Sequence, residues 1–129
     1  MNPDWEERLF DGRPTPLRLY RAIRQRLETF GPLTVRGTDT QVSFRARRAF
    51  AWVWLPQRWA EGRPADSVTL TFSLDAPLDD RRIVQVVEPR PGHWTHHVVI
   101  QDESDLDGAV DGWLRQAYGL AGGDARFAR

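Results

Sequence analysis

Over residues 33–101, apolar and polar side chains exchange places at every second position, and this alternation restricts the chain to folds built on an antiparallel sheet. Val42, Phe44 and Ala46 alternate with Gln41, Ser43, Arg45 and Arg47, so one side of that strand faces a core and the other presents guanidinium groups. Val68, Leu70, Phe72 and Leu74 interleave with Thr69, Thr71, Ser73 and Asp75 in the same manner. Residues 82–88 and 94–101 complete the series, and Pro89-Arg90-Pro91-Gly92 between them predicts a hairpin. One run breaks the rule. In Phe50-Ala51-Trp52-Val53-Trp54-Leu55 both faces are apolar, with Phe50, Trp52 and Trp54 on one and Ala51, Val53 and Leu55 on the other. A strand of that kind sits centrally and needs two covers. Helices supply one; the loop 57–64, a partner subunit or a ligand supplies the other.

The flanks have a helical period instead. Residues 4–10 read as a short first helix with acidic residues at the positive end of its dipole. Thr15 is the expected N-cap of a second helix over 16–30, in which Leu17, Tyr20, Ile23, Leu27 and Phe30 recur three or four apart. Arg18, Arg21, Arg24 and Arg26 take its outer face, and Gly31-Pro32 stops it. A last helix is expected to begin at Ser104, with Asp107 completing a capping box, and to run along Leu106, Val110, Trp113, Leu114 and Ala117 to Gly119. The fold class is therefore α+β: N-terminal helices, a five- or six-stranded antiparallel sheet, and a C-terminal helix packed on the sheet. A single domain over 1–121 and a flexible tail over 122–129 are expected, a usual size for one core.

Composition removes several chemistries. Cysteine is absent, so there is neither a disulfide framework nor a thiolate nucleophile or ligand. All eighteen Lys and Arg positions are arginine, which excludes a Schiff-base lysine and a Walker-type phosphate loop. No apolar run approaches the roughly 18 residues of a membrane span, and the acidic start MNPDWEERLF lacks the marks of a signal peptide, so a cytoplasmic location is expected. The net charge of zero is unevenly spread: +4 over 1–48, −1 over 49–98 and −3 over 99–129.

His93, His96 and His97 invite a metal-site reading, but strand geometry opposes it. At ~3.3 Å per residue, His96 and His97 point to opposite faces and His93 lies ~13 Å from His97, whereas zinc needs ligands within ~2.1 Å of the ion. No metal or other cofactor is expected. Asp102, Glu103, Asp105 and Asp107 suit helix capping better than acid–base work, and there is neither a nucleophile elbow nor a glycine-rich phosphate cradle. What survives is a constellation of Trp52 and Trp54 on the central strand, Arg45 and Arg47 (with Arg48) before it, and Trp94 with His93, His96 and His97 on the last strand.

Gly12-Arg13-Pro14, a second helix ending in Phe-Gly-Pro, VSFRARRAFAWV, RIVQVVE, WTHHVVI and LDGAVDGWLRQAY together resemble the bacterial domain of unknown function 5655 family, over about residues 5–120. The resemblance implies a domain boundary; it carries no catalytic residues and no assigned activity. The order helix, sheet, helix is also similar to the frataxin-like architecture, but the arginine-bearing second helix here brings no iron site with it.

The expected function is that of a non-catalytic binding or interaction domain working through its aromatic and arginine-bearing sheet face, with an unidentified ligand or protein partner; a homodimer is one form that contact would take. Two other readings stay open. One is a small metal-dependent or hydrolytic enzyme using residues 93–97. The other is single-stranded nucleic-acid binding, which aromatic rings flanked by guanidinium groups favour and zero net charge disfavours.

Overall fold

The computed structural model describes residues 5–55 and 66–122. The chain runs α1 (Trp5–Leu9), α2 (Pro14–Glu28), β1 (Thr34–Gly37), β2 (Gln41–Arg45), β3 (Ala49–Trp54), β4 (Val68–Leu74), β5 (Ile83–Arg90), β6 (His93–Ile100), a 3-10 turn (Glu103–Asp105) and α3 (Gly108–Leu120). All six strands form one antiparallel sheet in the order β1-β2-β3-β4-β6-β5. The expected α+β class, with helices before the sheet and a helix packed on it, is the one observed.

One sheet face carries the core. Phe44, Ala51, Phe72, His96 and Val86 stand opposite one another across five strands, and Val42, Val53, Leu70 and Val98 form the next row. Against these rows α2 buries Leu19, Tyr20, Ile23 and Leu27, and α3 buries Val110, Leu114, Ala117 and Tyr118. Each is within a few per cent of full burial, and the Leu, Ile and Val side chains contribute about 1.5–3 kcal/mol apiece over exposure. Rings extend the packing into a column: His96 stacks on Phe72 at 5.2 Å, Phe72 on Trp113 at 5.7 Å, and the Arg82 guanidinium lies 5.1 Å over Trp113.

Several element boundaries differ from the sequence reading, each for a local reason. α2 begins at Pro14 rather than after a Thr15 cap, because a proline has its φ preset and needs no amide partner in the first turn. The run DESDLD offers several short carboxylates, and the chain uses them in two steps. Asp102 and Asp105 form the capping box around the 3-10 turn, and Asp107 then caps α3 through the Val110 amide. α3 passes through Gly119 and stops at Leu120; the left-handed residue is Gly122, with φ +83°. Between β5 and β6 the loop tightens to Pro91-Gly92, with Gly92 at φ +80°, which is the proline-then-glycine order of a type II turn.

The two outer strands differ. β1 is backed by α1, and Trp5 lies so close to Gly37 that a side chain there would collide with the indole. β5 is an eight-residue edge whose pairing with β6 slips twice, between Ile83 and Gln85 and again between Val87 and Arg90. α1 is tied to α2 by Glu6, whose carboxylate accepts from the Tyr20 hydroxyl and the Arg24 guanidinium. Burial, reinforced by that carboxylate, pushes the Tyr20 hydroxyl upward, so it stays a donor.

Candidate functional site

The candidate site lies at the end of the sheet where β3 enters, β4 leaves and two hairpins turn. A register slip at the β2–β3 hairpin starts it: Phe44 pairs with Ala51 and Arg45 with Ala49, leaving Phe50 as the extra residue. The bulge turns Phe50 onto the helix side, where it meets Tyr118 edge-on at 5.4 Å and is fully buried. The expectation that Phe50, Trp52 and Trp54 share a face is therefore corrected. Trp52 and Trp54 remain on the opposite face, half-buried, so β3 is not sealed equally on both sides. The loop 57–64, one expected cover for that face, falls outside the described residues.

The turn after β2 is fastened to the end of α3. The amides of Arg47 and Arg48 both donate to the Ala121 carbonyl, at 3.0 and 3.3 Å, and the Arg48 guanidinium donates to the Leu120 carbonyl. Helix C-terminal carbonyls that lack a helical partner thus receive three donors and a positive charge. The stem of Arg47 packs against Gly122, where a Cβ would lie 2.8 Å from its Cδ.

Between this turn and the β5–β6 turn lies an open cavity of about 390 Å³. Phe50, Trp52, Leu74, Ala117 and Leu120 give it apolar walls, and Arg45, Arg48 and Arg90 with His93 stand around them. Among the described residues lining it, Asp75 is the one carboxylate. Arg48 is already engaged at the helix end, but the side chains of Arg45, Arg90, His93 and Trp52 have no hydrogen-bond or ion-pair partner among the described residues. By contrast, Arg18, Arg21, Arg24, Arg26, Arg82 and Arg115 are all in ion pairs.

The other residues singled out from the sequence are distributed elsewhere. Trp94 pairs with Leu74 on the helix side, so it does not join Trp52 and Trp54. His96 is on that side too, fully buried. Its Nε2 accepts the Leu78 amide at 3.0 Å, which places the ring proton on Nδ1, an atom that makes no hydrogen bond of good geometry among the described residues. Burial pushes its pKa below the ordinary histidine value, against a smaller opposing pull from the carbonyls of Phe72 and Trp94.

His97 is on the far face, as the strand alternation requires, and is buried there. The Trp54 indole donates to the Thr71 hydroxyl at 3.0 Å, and that hydroxyl lies 2.7 Å from His97 Nδ1. A hydroxyl has one proton and two lone pairs, so Thr71 can accept from the indole and still either donate to Nδ1 or accept from it, according to the histidine's tautomer. The three imidazoles thus occupy a cavity rim, a core and the opposite face. Among the described residues, no group of three or more His, Cys, Asp or Glu side chains is placed to hold a metal ion.

The acidic residues after β6 are engaged by backbone and neighbours. Asp105 accepts the amides of Gln101 and Asp102 at 2.9 and 3.1 Å. The Ser104 hydroxyl and amide hold the Asp102 carboxyl below the usual carboxylate range, and the Val110 amide, aided by Arg82, does the same for Asp107. Arg82 also bonds Asp80 and lowers it. Asp80, Asp102 and Asp107 are thus held ionised, the opposite of the raised pKa that a general acid near neutrality needs.

Arg45, Trp52 and His93 were legible from the sequence and share the cavity; Trp54, Trp94, Arg47, His96 and His97 do not line it. Arg90, together with the apolar walls from α3, was missed. Its signal was an arginine in a tight turn predicted to lie beside His93. Among the described residues, no helix is long and apolar enough to cross a membrane. No curated protein and no solved structure matches the chain. The model of the family described as Domain of unknown function (DUF5655) matches residues 6–121, and the chain belongs to that family.

Proposed function

We propose that the domain is a non-catalytic binding module whose contact site is the cavity between the β2–β3 and β5–β6 turns. One observation carries the reading: four donor side chains without a partner among the described residues, Arg45, Arg90, His93 and Trp52, gather around one concave and partly apolar space. Exposed arginines elsewhere on a surface are ordinary, but convergent polar groups on a concave apolar wall are what a ligand site requires. At about 390 Å³ the cavity is near the lower end of the range for small-molecule sites. A short ligand or a peptide end fits better than an extended partner.

The test uses isotope-labelled protein and three small aromatic probes that differ in charge: benzoate, benzyl alcohol and benzylamine. Saturable shifts concentrated on the Trp52 indole N–H, His93 and the backbone around Arg45 and Arg90, with any one of them, support the site. Shifts scattered over the surface, or none with all three, reject it.

A further inference from the structure

From the charge and shape of this same cavity we infer that its ligand is a small amphipathic anion: one acidic head, carboxylate or phosphate, on an apolar body. The inference rests on the binding reading above and narrows it to a chemical class. Among the described lining residues three guanidinium groups face one carboxylate, Asp75, a surplus of two positive charges at the rim. Guanidinium is a planar donor that meets carboxylate and phosphate oxygens in pairs, and it remains charged at every physiological pH. Arg45 comes from the end of β2 and Arg90 from the end of β5, so the two approach the cavity from opposite sides of the three strands between them. With no acid partner among the described residues, neither breaks a bond seen there to receive an oxygen.

The apolar half of the site points to the body of the ligand. Trp52, Leu74 and Leu120 line the cavity, and Leu120 is one of three large hydrophobic side chains left notably exposed among the described residues, at 39%. A bare inorganic anion would leave that surface wet. A polyanion fits poorly for a different reason: a nucleic-acid strand is held by cations along a track, whereas these converge on one hollow in a chain of zero net charge. A cationic ligand would have to approach the positive surplus.

The experiment titrates the whole chain with phenyl phosphate, benzoate, inorganic phosphate, benzyl alcohol and a ten-nucleotide thymidine oligomer, reading cavity resonances. It is repeated on the R45Q/R90Q double variant, both of whose sites are exposed and unpaired, so the fold is checked by its unchanged spectrum. Phenyl phosphate and benzoate are expected to bind at least ~10-fold tighter than benzyl alcohol, a ratio set by charge-assisted bonds in a partly screened site. Inorganic phosphate binds more weakly than phenyl phosphate. The double variant loses about tenfold in affinity for the two aromatic anions and nothing for benzyl alcohol.

Benzyl alcohol binding the same residues as tightly as benzoate overturns the anion inference and leaves the binding site standing. Unchanged anion affinity in R45Q/R90Q does the same. Tighter binding of the oligomer, steeply weakened by salt and with shifts extending beyond the cavity, replaces the inference with a nucleic-acid surface. Silence with every probe removes the binding reading itself.

Discussion

Phe72 holds the centre of the ring column, and replacing it tests whether that column is a main support of the fold. It is fully buried on β4, with the His96 ring at 5.2 Å on one side and the Trp113 ring at 5.7 Å on the other. Phe72→Ala removes a whole ring from a site fenced by the sheet and α3, so the neighbours cannot collapse fully into the space. The expected cost is about 3–5 kcal/mol, a large part of the roughly 5–15 kcal/mol available to a domain. Phe72→Leu keeps much of the volume and loses the two stacks, at about 1–2 kcal/mol. Urea unfolding followed by tryptophan fluorescence measures both, and the midpoint should move while the slope stays constant. A loss below about 1 kcal/mol for Phe72→Ala at constant slope would refute the reasoning, because it requires the core to repack around a missing ring at almost no cost.

Two further perturbations follow from the same core. Because burial holds His96 below the ordinary value of about 6.5, the unfolded chain takes up a proton there before the folded one does. Its contribution is therefore intact above that value and is lost as pH falls from it toward the folded pKa; His96→Gln should flatten this part of the stability profile, and identical profiles for the two proteins would contradict the assignment. Gly31 has φ +152°, and a side chain there would run into the Tyr118 hydroxyl, which donates to the Pro32 carbonyl at 2.8 Å. Gly31→Ala should lower the thermal midpoint and Tyr118→Phe in the same chain should recover part of the loss, whereas no recovery would place the damage in the backbone alone.

The sheet was legible because alternation is a property of single residues. Val42 and Phe44, or Leu70 and Phe72, reveal their face without knowledge of any neighbour. Phe50 was not, since a bulge adds a residue without changing the local composition; only the pairing of Phe44 with Ala51 exposes it. The burial of His97 was hidden for a related reason: period-two reading says which face a side chain takes but not how far that face is covered, nor that Thr71 and Trp54 would be bonded beside it. The caps in DESDLD were readable as caps but not as a register, because several aspartates compete for nearby amides. Of the cavity, the sequence offered Arg45, Trp52 and His93 as separate suspects. Their meeting with Arg90 and Leu120 depends on strand order β3-β4-β6-β5 and on where α3 stops, neither of which periodicity encodes.

The irregular outer strand has a bearing on how copies of this chain behave when crowded. A neighbouring ribbon laid along β5 would fall out of step at Ile83–Gln85 and again before Arg90, and at Pro89 it would meet a position with no amide to offer. Val84 and Val87 lie open to water there, at 53% and 39%, on what would otherwise be an adhesive margin. Distortion of this kind works against templated stacking along that margin, so straightening it should favour the seeding of fibrils.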